Sequence, residues 1–215
     1  MENGMHGSMI SRVILSISAV AALAGPCEGQ IVVFELRADR PVISHSEPTV
    51  RITIRETLVQ PQGDEIGIAN FLFDIPIESH IGAVIDLAPG RHPDFQHWAG
   101  KNGTPSSAGV MAIDGFQLPP MLGSIPMNPN FNRSLSLDIY SFTYTATEFD
   151  PGVVEFSLDL IGGAFYITES GLSRRWWPKD AVVFGTTVEV VSPAPATVPL
   201  IAVIFSGLGT RKRRR

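Results

Sequence analysis

The sequence predicts an all-β body, an antiparallel β-sandwich of two sheets packed face to face, flanked by an apolar segment at each terminus. Apolar residues recur at every second position over several short runs, and turn formers are abundant, with 20 Gly and 17 Pro in 215 residues. No stretch carries the 3.6-residue apolar period of an amphipathic helix. Alternation by two puts successive side chains on opposite faces of a strand, so each run offers one apolar face that another sheet must cover. A sandwich or jelly roll over residues 30–191, a single domain, follows.

The first element is an N-terminal segment, residues 1–24, in which Arg12 precedes an apolar run from Val13 to Leu23. It ends in Ala22-Leu23-Ala24, the small-x-small form that signal peptidase accepts, so a signal helix cut after Ala24 is predicted. The run is too short to span a bilayer, which takes roughly 20 apolar residues. Cys27, the only cysteine, follows Pro26, which disfavours lipidation and leaves no intramolecular disulfide. Packing alone must then stabilise the body.

Within the body, Val32, Phe34 and Leu36 alternate with Val33, Glu35 and Arg37, and Val50, Ile52 and Ile54 alternate with Arg51, Thr53 and Arg55. Phe156, Leu158 and Leu160 are predicted to face inward while Glu155, Ser157 and Asp159 face out. Val182, Phe184, Val188 and Val190 repeat the inward pattern, and further strands are expected around Phe71 to Ile75 and Phe165 to Ile167. One segment changes phase: Leu135, Leu137 and Ile139 are odd-numbered, Tyr140, Phe142 and Tyr144 even. A β-bulge near Ile139, or a strand passing from one sheet to the other, produces such a flip. Gln62-Gly63-Asp64, Asp150-Pro151-Gly152 and Gly162-Gly163 mark turns. From Pro76 to Asn130 the alternation fades and 8 of the 17 prolines collect. A long excursion is expected there, with a short hairpin near Val110 to Ile113, and long loops often carry function.

Residues 30–191 hold 10 Lys and Arg against 19 Asp and Glu, a net charge of −9 within a chain whose total is −5. A body so acidic argues against nucleic acid as a partner, because phosphates call for a basic face. The balancing cations sit mostly at the C-terminus, as Arg211, Lys212, Arg213, Arg214 and Arg215.

Those five close a three-part tail, residues 192–215. A linker over 192–197 contains Pro193-Ala194-Pro195, an apolar segment and glycine-rich stretch fill 198–210, and the basic cluster follows. Pro199 suits the first turn of a helix, which would enter the membrane while the cations stop on the cytoplasmic side. Residues 196–210 as a helix span about 22 Å, short of the roughly 30 Å hydrocarbon core, so the predicted transmembrane helix is a marginal anchor. This layout resembles the PEP-CTERM sorting signal of Gram-negative bacteria, with Ala194 where the glutamate of the motif would stand. The resemblance implies recognition of Pro193, Ala194 and Pro195 by an exosortase-type enzyme, transient residence in the inner membrane, and delivery to the cell surface or an exopolysaccharide matrix. The alternative is an ordinary anchor that stays uncut. More weakly, residues 134–160, with a strand pair expected around Phe149-Asp150-Pro151-Gly152, resemble cohesin-type and carbohydrate-binding sandwiches.

Enzyme signatures such as a G-x-S-x-G elbow, H-E-x-x-H or a phosphate loop do not occur in the sequence, and neither a cofactor nor a metal is assigned. His92 and His97, five apart with Asp86 and His80 upstream, lack the three- or four-residue spacing of a helical metal site, and Pro93 discourages a helix. Glu155 and Asp159 stand four residues apart on one predicted strand, about 13 Å, too far for a glycosidase pair. Arg174-Arg175-Trp176-Trp177-Pro178 is a candidate sugar contact, since exposed indoles stack on sugar rings. Trp98, Trp176 and Trp177 are the possible glycan contacts, with burial of an indole in the core as the alternative for each. Taken together, the sequence points to an exported, non-catalytic surface or matrix protein associated with extracellular polysaccharide. A carbohydrate-binding module is the alternative, and a secreted hydrolase with an unfamiliar site in residues 76–130 a third.

Overall fold

Alternating apolar residues require a shared interior, and the computed structural model, which describes residues 31–59, 64–95, 100–122, 125–162, 164–169, 173–176 and 181–192, supplies one. The expected signal helix, the transmembrane helix and Cys27 lie outside those residues. Among the described residues no helix is long and apolar enough to cross a membrane, and the only helical piece is a 3-10 turn at Pro93–Phe95.

The chain runs through β1 (Ile31–Ala38), β2 (Val42–Ile43), β3 (Thr49–Val59), β4 (Glu65–Glu78) and β5 (Ala83–Arg91). A hairpin of β6 (Asn102–Ser106) and β7 (Gly109–Phe116) follows, then the small pair β8 (Met121–Leu122) and β9 (Ile125–Pro126). β10 (Ser136–Ala146), β11 (Gly152–Phe156), β12 (Asp159–Leu160) and β13 (Ala164–Thr168) come next. The last strands are β14 (Ser173–Trp176), β15 (Ala181–Phe184) and β16 (Thr186–Val190).

Five strands form one sheet in the order β15-β1-β3-β10-β5. The other sheet is built on β4, fourteen residues long, which pairs with β7 on one side and with β11, β12 and β13 on the other; β14, β16 and β2 extend it. Most pairings are antiparallel, as predicted. Two are not: β15 lies parallel to β1, and β2 parallel to β16.

The inner faces meet in one core. Val32, Phe34 and Leu36 of β1, Val50, Ile52 and Ile54 of β3, and Tyr140, Phe142 and Tyr144 of β10 face Phe71, Phe73 and Ile75 of β4, with Val154, Phe156, Val188 and Val190. Aromatic rings bridge the layers edge to face: Phe34 and Phe73 at 6.4 Å between centroids, Phe73 and Tyr140 at 6.2 Å, Tyr144 and Phe156 at 5.3 Å. The predicted bulge is present. The register of β10 on β3 slips between Asp138 and Tyr140, so Ile139 and Tyr140 are both buried and the apolar face changes parity without a change of sheet.

Several expectations are corrected. The stretch from Pro76 to Asn130 is not a loop excursion but contains β5, β6, β7 and the β8–β9 pair. Its alternation fades because β5 is an edge strand with Ala83, Val84, Asp86, Ala88 and Pro89 exposed, and β6 is polar. Val182 and Phe184 do not face the core with Val188 and Val190. They stand opposite Val33 and Glu35, the outward row of β1, because the chain changes sheets at Gly185 between β15 and β16. Phe149-Asp150-Pro151-Gly152 likewise joins β10 to β11 across the two sheets rather than forming a hairpin. Phe156 to Leu160 is two strands, β11 and β12, with Phe156 and Leu158 buried and Leu160 half-buried.

The inward row of β3 contains one charged residue. Glu56 follows Ile54 in phase, is 0% exposed, and lies opposite Phe34 of β1 and Leu137 of β10. Its polar neighbour across the core is Tyr166 of β13, itself fully buried, and neither carboxyl oxygen of Glu56 makes a hydrogen bond of ordinary geometry. Burial pushes the Glu56 pKa up to about 8, against a smaller downward pull from the Tyr166 hydroxyl. The folded state therefore holds a proton that the unfolded chain releases near pH 4.5. This contribution to stability is complete below pH 4.5, declines as the pH rises, and is gone above about 8. At about 1.4 kcal/mol per unit, the loss is bounded at about 5 kcal/mol. Urea denaturation from pH 5 to 9 should show stability falling with pH in the native chain and a flatter profile in Glu56→Gln, with the variant the more stable at pH 9. Parallel profiles would refute the buried acid.

Candidate functional site

The outward row of β3 reads Arg51, Thr53, Arg55 and Thr57, residues that alternate with the core positions and are therefore turned to solvent. Beside it β10 presents Ser136, Asp138, Ser141 and Thr143. These polar side chains tie one another down. Arg55 Nε donates to Asp138 Oδ1 at 2.7 Å, an Arg51 guanidinium nitrogen donates to Ser141 Oγ at 3.2 Å, and the Thr57 and Ser136 hydroxyls bond at 2.7 Å. The Asp138 carboxylate raises the Arg55 pKa.

Two irregularities turn this flat face into a groove. One is the Ile139 bulge. The other is in β5, where Ser141 lies opposite Gly90 but Thr143 lies opposite Asp86, so the segment from Leu87 to Pro89 bows away from β10. Asp86 accepts a bond from the Ala88 amide at 3.0 Å within that bow, and the Ala88–Pro89 bond is cis. The result is a trough of about 460 Å3, with Arg51, Thr53 and Asp138 on one side and Pro89, Gly90, His92 and Pro93 on the other.

Its far wall is built from the strand end. The His92 amide donates to the Ile139 carbonyl at 2.9 Å, fixing the wall to the bulge itself. His92 packs edge-on against Phe95, and its Nδ1 lies 3.4 Å from Asp94 Oδ2. Arg91 also lines the trough, but its guanidinium is committed: it donates to the Phe95 carbonyl at 3.1 Å and to Asn102 Oδ1 at 3.0 Å. Gly90, at φ +76°, fills a place where a Cβ would strike the Asn102 side chain.

The other sheet presents a different outer surface. Glu155 of β11 stands opposite Glu78 of β4, and Asp159 of β12 opposite Asp74, so like charges face one another across the ladder. Both Glu155 and Asp159 are exposed, and Glu189 of β16 extends the acidic surface.

Of the residues that the sequence singled out, Trp98, Trp177 and His97 lie outside the described residues, as do Ala22, Ala24, Pro193, Ala194, Pro195 and Arg211 to Arg215. Trp176 ends β14, opposite Ala164 of β13. His80, Asp86 and His92 do not converge: the His80 ring occupies the space above Gly152, Asp86 shapes the β5 bow, and His92 belongs to the groove wall. Among the described residues no group of three or more His, Cys, Asp and Glu side chains could hold a metal ion. Arg51, Thr53, Asp138 and Ser141 were missed as site residues, because an outward polar position on a strand looks the same in sequence whether or not a groove forms beside it. Glu56 did carry a signal, a charge at an inward phase.

No family model matches the chain. No curated protein matches it either. Among solved structures, a cohesin module from a family 33 glycoside hydrolase of Clostridium perfringens is similar over 75% of this chain and 99% of that one, at 10% identity and a TM-score of 0.41.

The groove wall yields a direct test. Gly90→Ala places a side chain at positive φ against Asn102 and should loosen the Arg91–Asn102 contact. A loss of about 1–3 kcal/mol in denaturant unfolding is expected. A variant as stable as the native chain would mean that the wall is not held as described.

Proposed function

We propose that the chain is a non-catalytic, exported protein of the cell surface or extracellular matrix, whose all-β body is delivered by an exosortase-type sorting tail. The observation that carries the reading is the order of parts: an apolar segment ending at Ala22-Leu23-Ala24, a sandwich body, Pro193-Ala194-Pro195, a second apolar segment, and Arg211 to Arg215. Five terminal cations resist transfer across a bilayer, so a chain exported from its N-terminus would halt with the body outside. Signal peptidase and the sorting enzyme are then its processing partners, and extracellular polysaccharide its surroundings.

The body supports this reading. Its core is closed by interdigitated aromatic and aliphatic side chains, and its cysteine count leaves stability independent of redox conditions. One outer face is acidic and hydrated, and the other carries hydroxyls and arginines held in fixed geometry. Such surfaces suit contact with a hydrated polymer.

The test is intact mass and cell fractionation in the host, with and without residues 193–195. A mature form that starts after Ala24 and lacks Arg211 to Arg215 is expected outside the cell, and deletion of Pro193 to Pro195 should leave the basic terminus attached in the membrane fraction. Recovery of the full-length chain from the cytosol overturns the proposal.

A further inference from the structure

We propose that the groove on the outer face of the five-stranded sheet binds an acidic polysaccharide, a chain bearing hexuronate carboxylates, with Arg51 as the residue that takes the carboxylate. The shape comes first. The trough crosses from β3 over β10 to β5, two strand spacings or about 10 Å, and is open along the sheet. Its volume of about 460 Å3 falls within the range of ligand sites. Hydroxyls of Thr53 and Ser141 and the Gly90 backbone line it beside Pro89 and Pro93, so the surface offers hydrogen bonds together with apolar contact, as a sugar ring requires.

Charge decides the class of ligand. Carboxylates outnumber cations in the body 19 to 10, yet among the described residues Arg51 has no carboxylate partner, whereas Arg37 pairs with Glu35, Arg40 with Glu47 and Arg55 with Asp138. The one carboxylate in the trough, Asp138, is already neutralised by Arg55. Arg51 and Arg91 therefore leave the groove net positive in a body of −9, and of the two Arg51 is the less committed, since the Arg91 guanidinium is bonded to both Asn102 and the Phe95 carbonyl. The Arg51 guanidinium is held at one nitrogen by Ser141 Oγ, which leaves donors free for the two-pronged geometry that a carboxylate accepts. A single solvent-exposed ion pair binds weakly, so useful affinity requires an extended ligand that repeats its contacts along the trough. A polysaccharide supplies carboxylates at regular intervals, with hydroxyls between them for Thr53 and Ser141. The inference rests on the matrix reading only for where such a polymer would be met.

The experiment is affinity electrophoresis of the full-length chain in gels containing polygalacturonate, dextran or polyglutamate, at low and high salt, with sodium sulfate as a competitor. Retardation by polygalacturonate that weakens with salt is expected, with none by dextran. Arg51→Gln and the groove-filling, charge-neutral Thr53→Tyr should each weaken binding about ten-fold or more, while Arg40→Gln, the same change of charge outside the groove, should leave it within about two-fold. Circular dichroism of each variant confirms folding. Absence of binding by the native chain overturns the proposal, as does equal loss in Arg40→Gln. Equal retardation by polyglutamate would make the ligand an acidic polypeptide, and full displacement by millimolar sulfate a simple anion. Loss in Trp98→Ala or Trp177→Ala with Arg51→Gln unaffected would place the contact elsewhere. Each of these results also overturns it. None bears on the processing of the tail, which is read independently by mass in the host.

Discussion

The two sheets are held together by a core that neither could cover alone, and the path of the chain makes that dependence unusually strict. β1, β3, β5, β10 and β15 belong to one sheet, and the strands that follow each of them lie in the other. The five-stranded sheet contains no pair of consecutive strands, so no hairpin can form it locally. Each of its ladders joins segments brought together by the core. The aromatic contacts from Phe34 to Phe73, Phe73 to Tyr140 and Tyr144 to Phe156 are thus conditions for pairing as much as products of it. Such non-local pairing must offset loop-closure entropy before contacts reward it, and it places this fold among slow folders.

Against that requirement Glu56 is a local exception with a clear physical cost. Strand geometry obliges every second residue of β3 to point inward, and the position between Ile54 and Leu58 is occupied by a carboxylic acid. Ionising it would bury a charge that no cation among the described residues compensates, so the group stays protonated into the neutral range and faces the Tyr166 hydroxyl. The cost rises with pH because the unfolded chain ionises freely. The sandwich core thereby acquires a proton-linked stability from one side chain.

How much of this was legible depended on whether a residue's neighbours in space resembled its neighbours in sequence. Val32, Phe34 and Leu36 declared their inward phase, as did Val50, Ile52 and Ile54, because each strand has partners on both sides and alternates cleanly. The parity change at Ile139 was visible for the same reason. β5 was not legible: at the sheet edge its side chains need not alternate, and Pro89 reads as a loop residue. Val182 and Val188 share a periodicity but not a sheet, since the break at Gly185 carries no information about which layer each strand joins. The groove was hidden more deeply. Arg51 and Ser141 are ninety residues apart, and only the register between β3 and β10 makes them neighbours.

The single extra residue at Ile139 connects these levels. Before it, Leu137 points inward opposite Glu56; after it, Tyr140 points inward opposite Ile54, although the two positions differ by an odd number. Without the insertion, Tyr140, Phe142 and Tyr144 would turn to solvent and Ser141 and Thr143 would turn inward, because a one-residue slip reverses every side chain on a strand. The aromatic contacts to Phe73 and Phe156 would be lost, and Arg51 would lose the hydroxyl that anchors it. The same bulge offers its carbonyl to the His92 amide and so fixes the far wall of the trough. Core and groove are consequently set by one backbone irregularity, and the surface that faces outward is positioned by the packing behind it.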